Sequence, residues 1–431
     1  MGIRIPAGRD LSIDFARAVC LPIVVLLHAL QLGIGGAPLH AFNALSGFVP
    51  LTWATWVLMI MPVFFFCGGF AALGQWRRMR DDGTGAAAYL RARTLRLAQP
   101  VVLLMPAVGL VLFVMELAGA DQRFLGELAH RLAEPLWFMA VYIGVSAMVP
   151  VMAAVHERAP LRTLAVLALG AAAVDVLSRF AGLPVAAMNW GFVWLFVQQL
   201  GFLLRDGWFD RLRRGTLVAL AAAAYVALAL LVGFAGYPSD MLTNLNPPTL
   251  CILLLSVAQV ALFVLLRPAI RRAMAVRAVL GGVLVLGVFG MVVYLWHTVA
   301  MATVVGLQLA SGLPFPPVLS PAWWSTRPLW VGAIAALVGV ACVVVPRIER
   351  RWPPASTRPV PLFLSILWSA VAMVGVGLVL IGGYLPWTNG MVGWGMVAVA
   401  VVALLVGGPV RRRDRTPPVP PSRAPEEERA V

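Results

Sequence analysis

Three side chains able to carry charge near neutral pH fall within one apolar run near the start of the chain, DFARAVCLPIVVLLHAL: Asp14, Arg17 and His28. A charge inside a membrane helix costs about 2.5–3.5 kcal/mol on insertion scales, so such groups are functional candidates by default. At about 100° per residue, Arg17 and His28 lie about 20° apart around a helix, with the imidazole roughly 16 Å deeper. Asp14, one turn before Arg17, can pair with it. The stripe thus offers an acid–base pair near one membrane surface and, further in, the side chain best suited to move a proton near neutral pH. A histidine bonding across helices accounts for His28 alone equally well, and Asp14 with Arg17 also reads as an interfacial anchor.

Further along, MPVFFFCGGFAALGQW carries the pair Gly68 and Gly69, where another backbone or a thin ligand can approach closely. In YLRARTLRLAQP, Arg93 and Arg96 share one helix face, an arrangement suited to phosphate. For either arginine alone, the positive charge typical of one membrane side is the plainer account. EPLWFMAVY contains Trp137 and VVYLWHTVA contains Trp296, both positioned like residues of an interfacial aromatic belt. His297, beside Trp296, is a second intramembrane imidazole. His40, His130 and His156 fall in or near loops and carry no legible signal. Cys20, Cys67, Cys251 and Cys342 lie in apolar segments without metal-ligand or disulfide spacing, so no metal is expected.

These residues must be positioned by membrane helices. The chain is 61% hydrophobic and 12% charged, with a mean hydropathy of +0.90, too apolar for a soluble domain of this size. Runs of roughly 20 apolar residues, the length that crosses a bilayer core, recur throughout. They predict an all-α polytopic protein of about 12 helices: 15–34, 51–74, 97–119, 136–155, 161–181, 187–204, 216–236, 248–267, 279–303, 329–346, 362–383 and 390–408. The first is expected to remain as a span and not be cleaved as a signal peptide. The pair 161–181 and 187–204 carries the weakest signal. The expected organisation is an N-terminal tail (1–13), a ten-helix core (14–348), two extra helices (349–408) and a disordered tail rich in Pro, Arg and Glu (409–431).

The net charge of +15 does not indicate nucleic acid. Every basic residue is arginine, and 29 of the 33 lie in the two tails and every second loop. By the positive-inside rule, this alternation places both ends in the cytoplasm of a multi-pass cell-membrane protein in contact with membrane lipids.

In this order the motifs resemble the acyltransferase-3 family of integral membrane O-acyltransferases. The resemblance rests on Asp14, Arg17 and His28 in the first helix, FFF-x-GGF at 64–70, Arg93 and Arg96 followed by Pro100, PLWFMAVY at 135–142 and YLWH at 294–297. It covers about residues 10–346. It implies transfer of an acyl group, by default acetyl, from cytoplasmic acyl-CoA to a hydroxyl of a glycan, glycolipid or small molecule. His28 would then be the general base, Arg17 would sit in the active-site channel, and Arg93 with Arg96 would bind CoA phosphates. Two features depart from the family. Many members carry Ser-Gly where this chain has Gly68-Gly69, and the two C-terminal helices exceed the usual ten.

Twelve helices with both ends inside also suit a secondary transporter. Such proteins commonly show related halves and interrupted helices at matching positions. Here the loop GQWRRMRDDGTGAAAYLRARTLR lacks the Gly–Asp–Arg pattern of a common transporter family. Transport also leaves the ordered motifs unexplained. A degenerate member acting as a scaffold is a third reading, opposed by the retention of Arg17, His28, Arg93 and Arg96.

Overall fold

The computed structural model describes residues 9–385 and 388–407. The expected C-terminal tail and most of the N-terminal one lie outside the described residues. The first helix, α1 (Leu11–Gln31), starts where the Asp10 carboxylate accepts the backbone N–H of Ser12, a side-chain cap for an otherwise unpaired donor. It is followed by a hairpin of two short antiparallel strands, β1 (Leu32–Gly35) and β2 (His40–Asn43). The second span is broken into α2 (Val49–Leu58) and α3 (Met61–Asp81), with Pro62 in the opening turn of α3. Proline supplies no N–H to a preceding turn, so the ladder restarts there. Next comes α4 (Ala86–Leu117), which begins well before the apolar run, inside the arginine-rich loop.

The expected span 136–155 is the one that departs most. An amphipathic helix, α5 (Gln122–Ala133), precedes it, and the span itself divides into α6 (Leu136–Ala147) and α7 (Val149–Arg158). The axis bends by 53° between them, because Pro150 stands in the first turn of α7. The remaining spans are α8 (Pro160–Arg179), α9 (Asn189–Arg205), α10 (Arg214–Phe234), α11 (Leu250–Met274), α12 (Arg277–Ala310), α13 (Pro321–Glu349), α14 (Leu362–Gly382) and α15 (Asn389–Val406). Among the described residues, 11 helices are long and apolar enough to cross a membrane, or 12 if the bent one counts as a single span. The protein is therefore an all-α multi-pass membrane protein.

The weakly signalled pair, α8 and α9, is held by a buried carboxylate. Asp175 accepts from Asn189 Nδ2 (2.7 Å), the Tyr237 hydroxyl (2.9 Å) and the backbone N–H of Leu250 (2.8 Å). One residue thereby ties together α8, α9 and the start of α11, satisfying the hydrogen bonding that a buried charge requires.

At one end of the bundle, ion pairs join segments far apart in sequence. Arg77 bonds Asp206 (2.5 Å) and Glu157 (3.0 Å), and Arg80 bonds Glu157 (2.8 Å). Arg267 reaches both Asp10 (2.5 Å) and Asp210 (2.6 Å). The N-terminal segment and alternate interhelical loops therefore meet at one arginine-rich end. The β-hairpin and α5 lie at the opposite end, where His40 Nδ1 contacts the Glu127 carboxylate at 3.1 Å.

Candidate active site

Helices α1, α3, α4, α6 and α12 surround a cavity of about 570 Å³ that enters from the arginine-rich end, a size typical of small-molecule sites. Asp14, Arg17, Arg93 and Arg96 all line it, together with Arg9, Arg78 and Gln75. The pairing within this group differs from the one the helix spacing offers. Asp14 binds Arg9 (Nε to Oδ2, 2.6 Å) and not Arg17. The chain ahead of α1 folds back over its first turn, so an arginine outside the helix reaches the carboxylate. Arg17 instead lies 5.7 Å from the centre of the Phe64 ring, and its buried Nε has no hydrogen-bond partner among the described residues.

Arg93 is buried in the wall. It donates to Ser146 Oγ (3.3 Å) and approaches Gln75 Oε1 (3.5 Å), with its guanidinium 5.8 Å from the Tyr142 ring centre. Arg96, one turn on, is exposed to the cavity. Among the described residues Arg17, Arg78, Arg93 and Arg96 form no ion pair. Among the described residues these four arginines therefore bring positive charge to the cavity without a paired carboxylate, a setting that favours an anionic ligand.

The inner end of the cavity is aromatic: Phe64, Phe138, Tyr142 and Tyr294 line it. In the PLWFMAVY segment the lining residues are thus Phe138 and Tyr142, one turn apart. Trp137 points elsewhere; it is 9% exposed, packed against Trp190 and Trp194 with ring centres 5.4 and 5.8 Å away. The structure places it in an aromatic core and not in an interfacial belt. The glycine pair serves close packing. An ideal Cβ on Gly68 would lie 2.5 Å from the Tyr142 hydroxyl, and one on Gly69 would overlap the Gln198 backbone carbonyl.

His28 does not line this cavity. It faces a separate pocket of about 20 Å³ entered from the opposite end, whose wall includes Gln31, Asn43, Arg131, Glu134 and Thr298. That is room for about one water-sized group. Between the two hollows stand the Tyr294 side chain, whose hydroxyl donates to the Pro135 carbonyl, and the His28–His297 pair. The two imidazoles lie with ring centres 5.1 Å apart and planes at 25°. The residues singled out from sequence thus divide into an arginine group on one side and a histidine pair on the other.

Sequence reasoning missed Arg9 and Arg78, because a cation in an arginine-rich tail or loop end is indistinguishable from topological bias, and Gln75, a neutral amide with no local pattern to mark it. It also missed His156, buried between Gln199 Oε1 (2.8 Å) and Asp206 (3.2 Å). Its partners lie in α9 and the following loop, beyond any local spacing rule. Among the described residues no group of three His, Cys, Asp or Glu side chains is placed to hold a metal ion.

The described residues thus form a multi-pass α-helical membrane bundle with an arginine-lined cavity at one end and a histidine pair further in. One family model, described as an acyltransferase domain, matches residues 10–346. The chain belongs to this acyltransferase-3 family and is a membrane acyltransferase. No curated protein and no solved structure matches it. The matched region ends within α13, so α14 and α15 lie outside the family domain.

Proposed function

We propose that the protein transfers an acyl group, acetyl by family resemblance, from acyl-CoA to a hydroxyl of a glycan, glycolipid or small-molecule acceptor. The single observation that carries this reading is the cavity wall. Four arginines that form no ion pair among the described residues line a space that changes from charged to aromatic towards His28. Acyl-CoA has the same polarity, with phosphates at one end and an uncharged pantetheine arm bearing the thioester at the other. Arg96 and Arg93 would hold the phosphates, and Arg17 would attract the donor deeper in. The arginine-rich end and both chain ends would face the cytoplasm of a cell membrane, following the positive-inside rule.

In the reaction, His28 takes the proton of the acceptor hydroxyl as its oxygen attacks the thioester carbonyl. The C–O bond forms, the C–S bond breaks, and His28 returns the proton to the departing CoA thiolate. The acceptor hydroxyl enters the small pocket, where Gln31, Asn43 and Thr298 offer neutral hydrogen-bonding groups. The donor arm must pass Tyr294, since reacting atoms have to approach to about 3–3.5 Å. Donor binding therefore displaces that side chain from the Pro135 carbonyl.

Calorimetric titration of CoA and acetyl-CoA into the detergent-purified protein tests this reading. Wild type should bind both, and the Arg93→Ala/Arg96→Ala double variant, verified as folded, should lose the binding. A folded wild type that takes up neither ligand would exclude CoA as the donor.

A further inference from the structure

His297 belongs to neither hollow, yet its environment is the more constrained of the two histidines. It is fully buried, and its Nδ1 lies 2.6 Å from the Tyr294 carbonyl oxygen. A carbonyl can only accept, so Nδ1 carries the proton and the Nε2 of the neutral ring is a bare lone pair. That Nε2 is buried without a partner among the described residues, and so is Nδ1 of His28. A buried polar atom left unpaired is costly and calls for an explanation.

The two orphans complement each other. The rings are 5.1 Å apart centre to centre, and imidazoles that share an N–H···N bond of ~2.9 Å have centres about this far apart. The bond is not formed in this structure, where the rings stack with planes at 25°; forming it requires the His28 ring to turn its Nδ1 edge towards His297 while His297 keeps its Tyr294 bond. His28 Nδ1 is the buried nitrogen, which leaves Nε2 as the ring nitrogen able to reach the acceptor pocket.

We propose that His297 is a positioning residue whose Nε2 accepts the Nδ1–H of His28, fixing His28 as the tautomer with a free Nε2 lone pair towards the acceptor hydroxyl. This rests on the reading of His28 as the base. The logic is that of the carboxylate in a Ser–His–Asp triad, which selects one tautomer of its histidine and supports the imidazolium once formed. Here an uncharged lone pair replaces the carboxylate, and no buried anion is needed so deep in the membrane. The chain of dependence is short: the Tyr294 carbonyl sets His297, and His297 sets His28. Removing the lone pair lets His28 revert towards the Nε2–H form, in which the nitrogen facing the acceptor already bears a proton.

The full-length protein in detergent provides two independent readouts. The first is kinetic. His297→Phe keeps an aromatic ring but offers no acceptor, and should lower kcat about 10²-fold or more while KM for acyl-CoA stays unchanged. His297→Gln restores an acceptor oxygen and should recover most of that loss. The second is the 15N spectrum of the histidine side chains, with His28 assigned by its absence in His28→Gln. Wild-type His28 should show a protonated Nδ1 and a bare Nε2, and His297→Phe should shift it towards the opposite tautomer.

A wild-type His28 protonated at Nε2, or a spectrum and kcat indifferent to His297→Phe, would overturn the proposal. If His297→Phe does not fold, the wild-type and His297→Gln spectra still decide whether His28 is held in the Nδ1–H form. If the wild type transfers no acyl group, the acyltransfer reading fails, and the tautomer of His28 still decides the pairing.

Discussion

Thr94 and Ser369 share a buried hydrogen bond of 2.6 Å that joins the family domain to the helix pair outside it. Ser369 directs its own proton to the Ser365 carbonyl (2.7 Å), so Thr94 is the donor. Thr94 is the neighbour of Arg93 in α4. Nearby, the Arg91 guanidinium binds the carbonyls of Leu404 (2.7 Å) and Leu405 (3.2 Å) at the end of α15, where helix carbonyls lack internal partners. Trp394 Nε1 donates to the Val102 carbonyl at 3.0 Å. The C-terminal pair thus braces the outer side of the helix whose inner side carries Arg93 and Arg96. Ser369→Ala should destabilise the protein by about 1–3 kcal/mol, since it strands the Thr94 hydroxyl in a dry interface. Thermal unfolding in detergent reads this directly, and Ser369→Thr should lose less.

The two adjacent glycines should respond differently to one added methyl. At Gly69 the obstacle is the Gln198 backbone, which cannot swing aside, so Gly69→Ala should cost about 1–3 kcal/mol or prevent folding. At Gly68 it is the far end of the Tyr142 side chain. Gly68→Ala should fold and push Tyr142 further into the cavity, raising KM for acyl-CoA. Expression and melting of the purified variants, beside steady-state kinetics, separate these outcomes.

His28→Ala should abolish acyl transfer while leaving folding and CoA binding intact, because His28 touches the acceptor pocket and not the arginine-lined cavity. A single-turnover assay with purified variant and acyl-CoA checks it. Normal activity would remove His28 as the base.

Arg17→Lys keeps the charge but loses the planar fork that stacks against Phe64. The expected result is a fall of about tenfold or more in kcat/KM with an unchanged melting temperature. Full activity would reduce Arg17 to an anchor.

The ion pairs at the arginine-rich end give the protein an acid-labile edge. Burial pushes Asp10 up, but hydrogen bonds from Ser12 and Arg267 and the Arg267 charge outweigh it and hold the carboxyl below its usual range. Burial likewise raises Asp206, and Arg77 more than compensates. Both groups are lowered in the folded state, so their stabilisation is complete above the unfolded carboxylate value of about 4 and disappears as pH falls through the folded values. The melting temperature should be flat from neutral down to about pH 4 and then drop. Asp10→Asn should flatten part of that drop.

The spans were legible because each must present about 20 apolar residues to lipid, a demand met within the segment itself. What escaped depends on partners elsewhere. The hairpin LGIGGAPLHAFN has strands too short for alternation to stand out. Helix α5 (QRFLGELAHRLA) has a clear apolar face, but at 12 residues it falls below any span-length window. At the site, the sequence showed which stripes carry ionisable groups but not how they divide. Helical phase placed Arg17 and His28 on one stripe, yet depth along α1 separates them into different hollows. One residue of phase, about 100°, separates Trp137, packed among tryptophans, from Phe138 at the cavity wall. The Asp14–Arg9 pair needed the path of the chain before the helix begins.

The contact between Tyr294 and the Pro135 carbonyl has an electrical consequence. A membrane at 100 mV stores about 2.3 kcal/mol for each elementary charge that crosses it, and a water-filled bore would let that energy drain away. This bundle is hollowed from both ends without being pierced. With no donor bound, a stopper one side chain thick stands against leaking ions, and the donor arm that displaces it fills the opening it leaves. The wall is thus an insulator at rest, and it opens only for the reactant that plugs it.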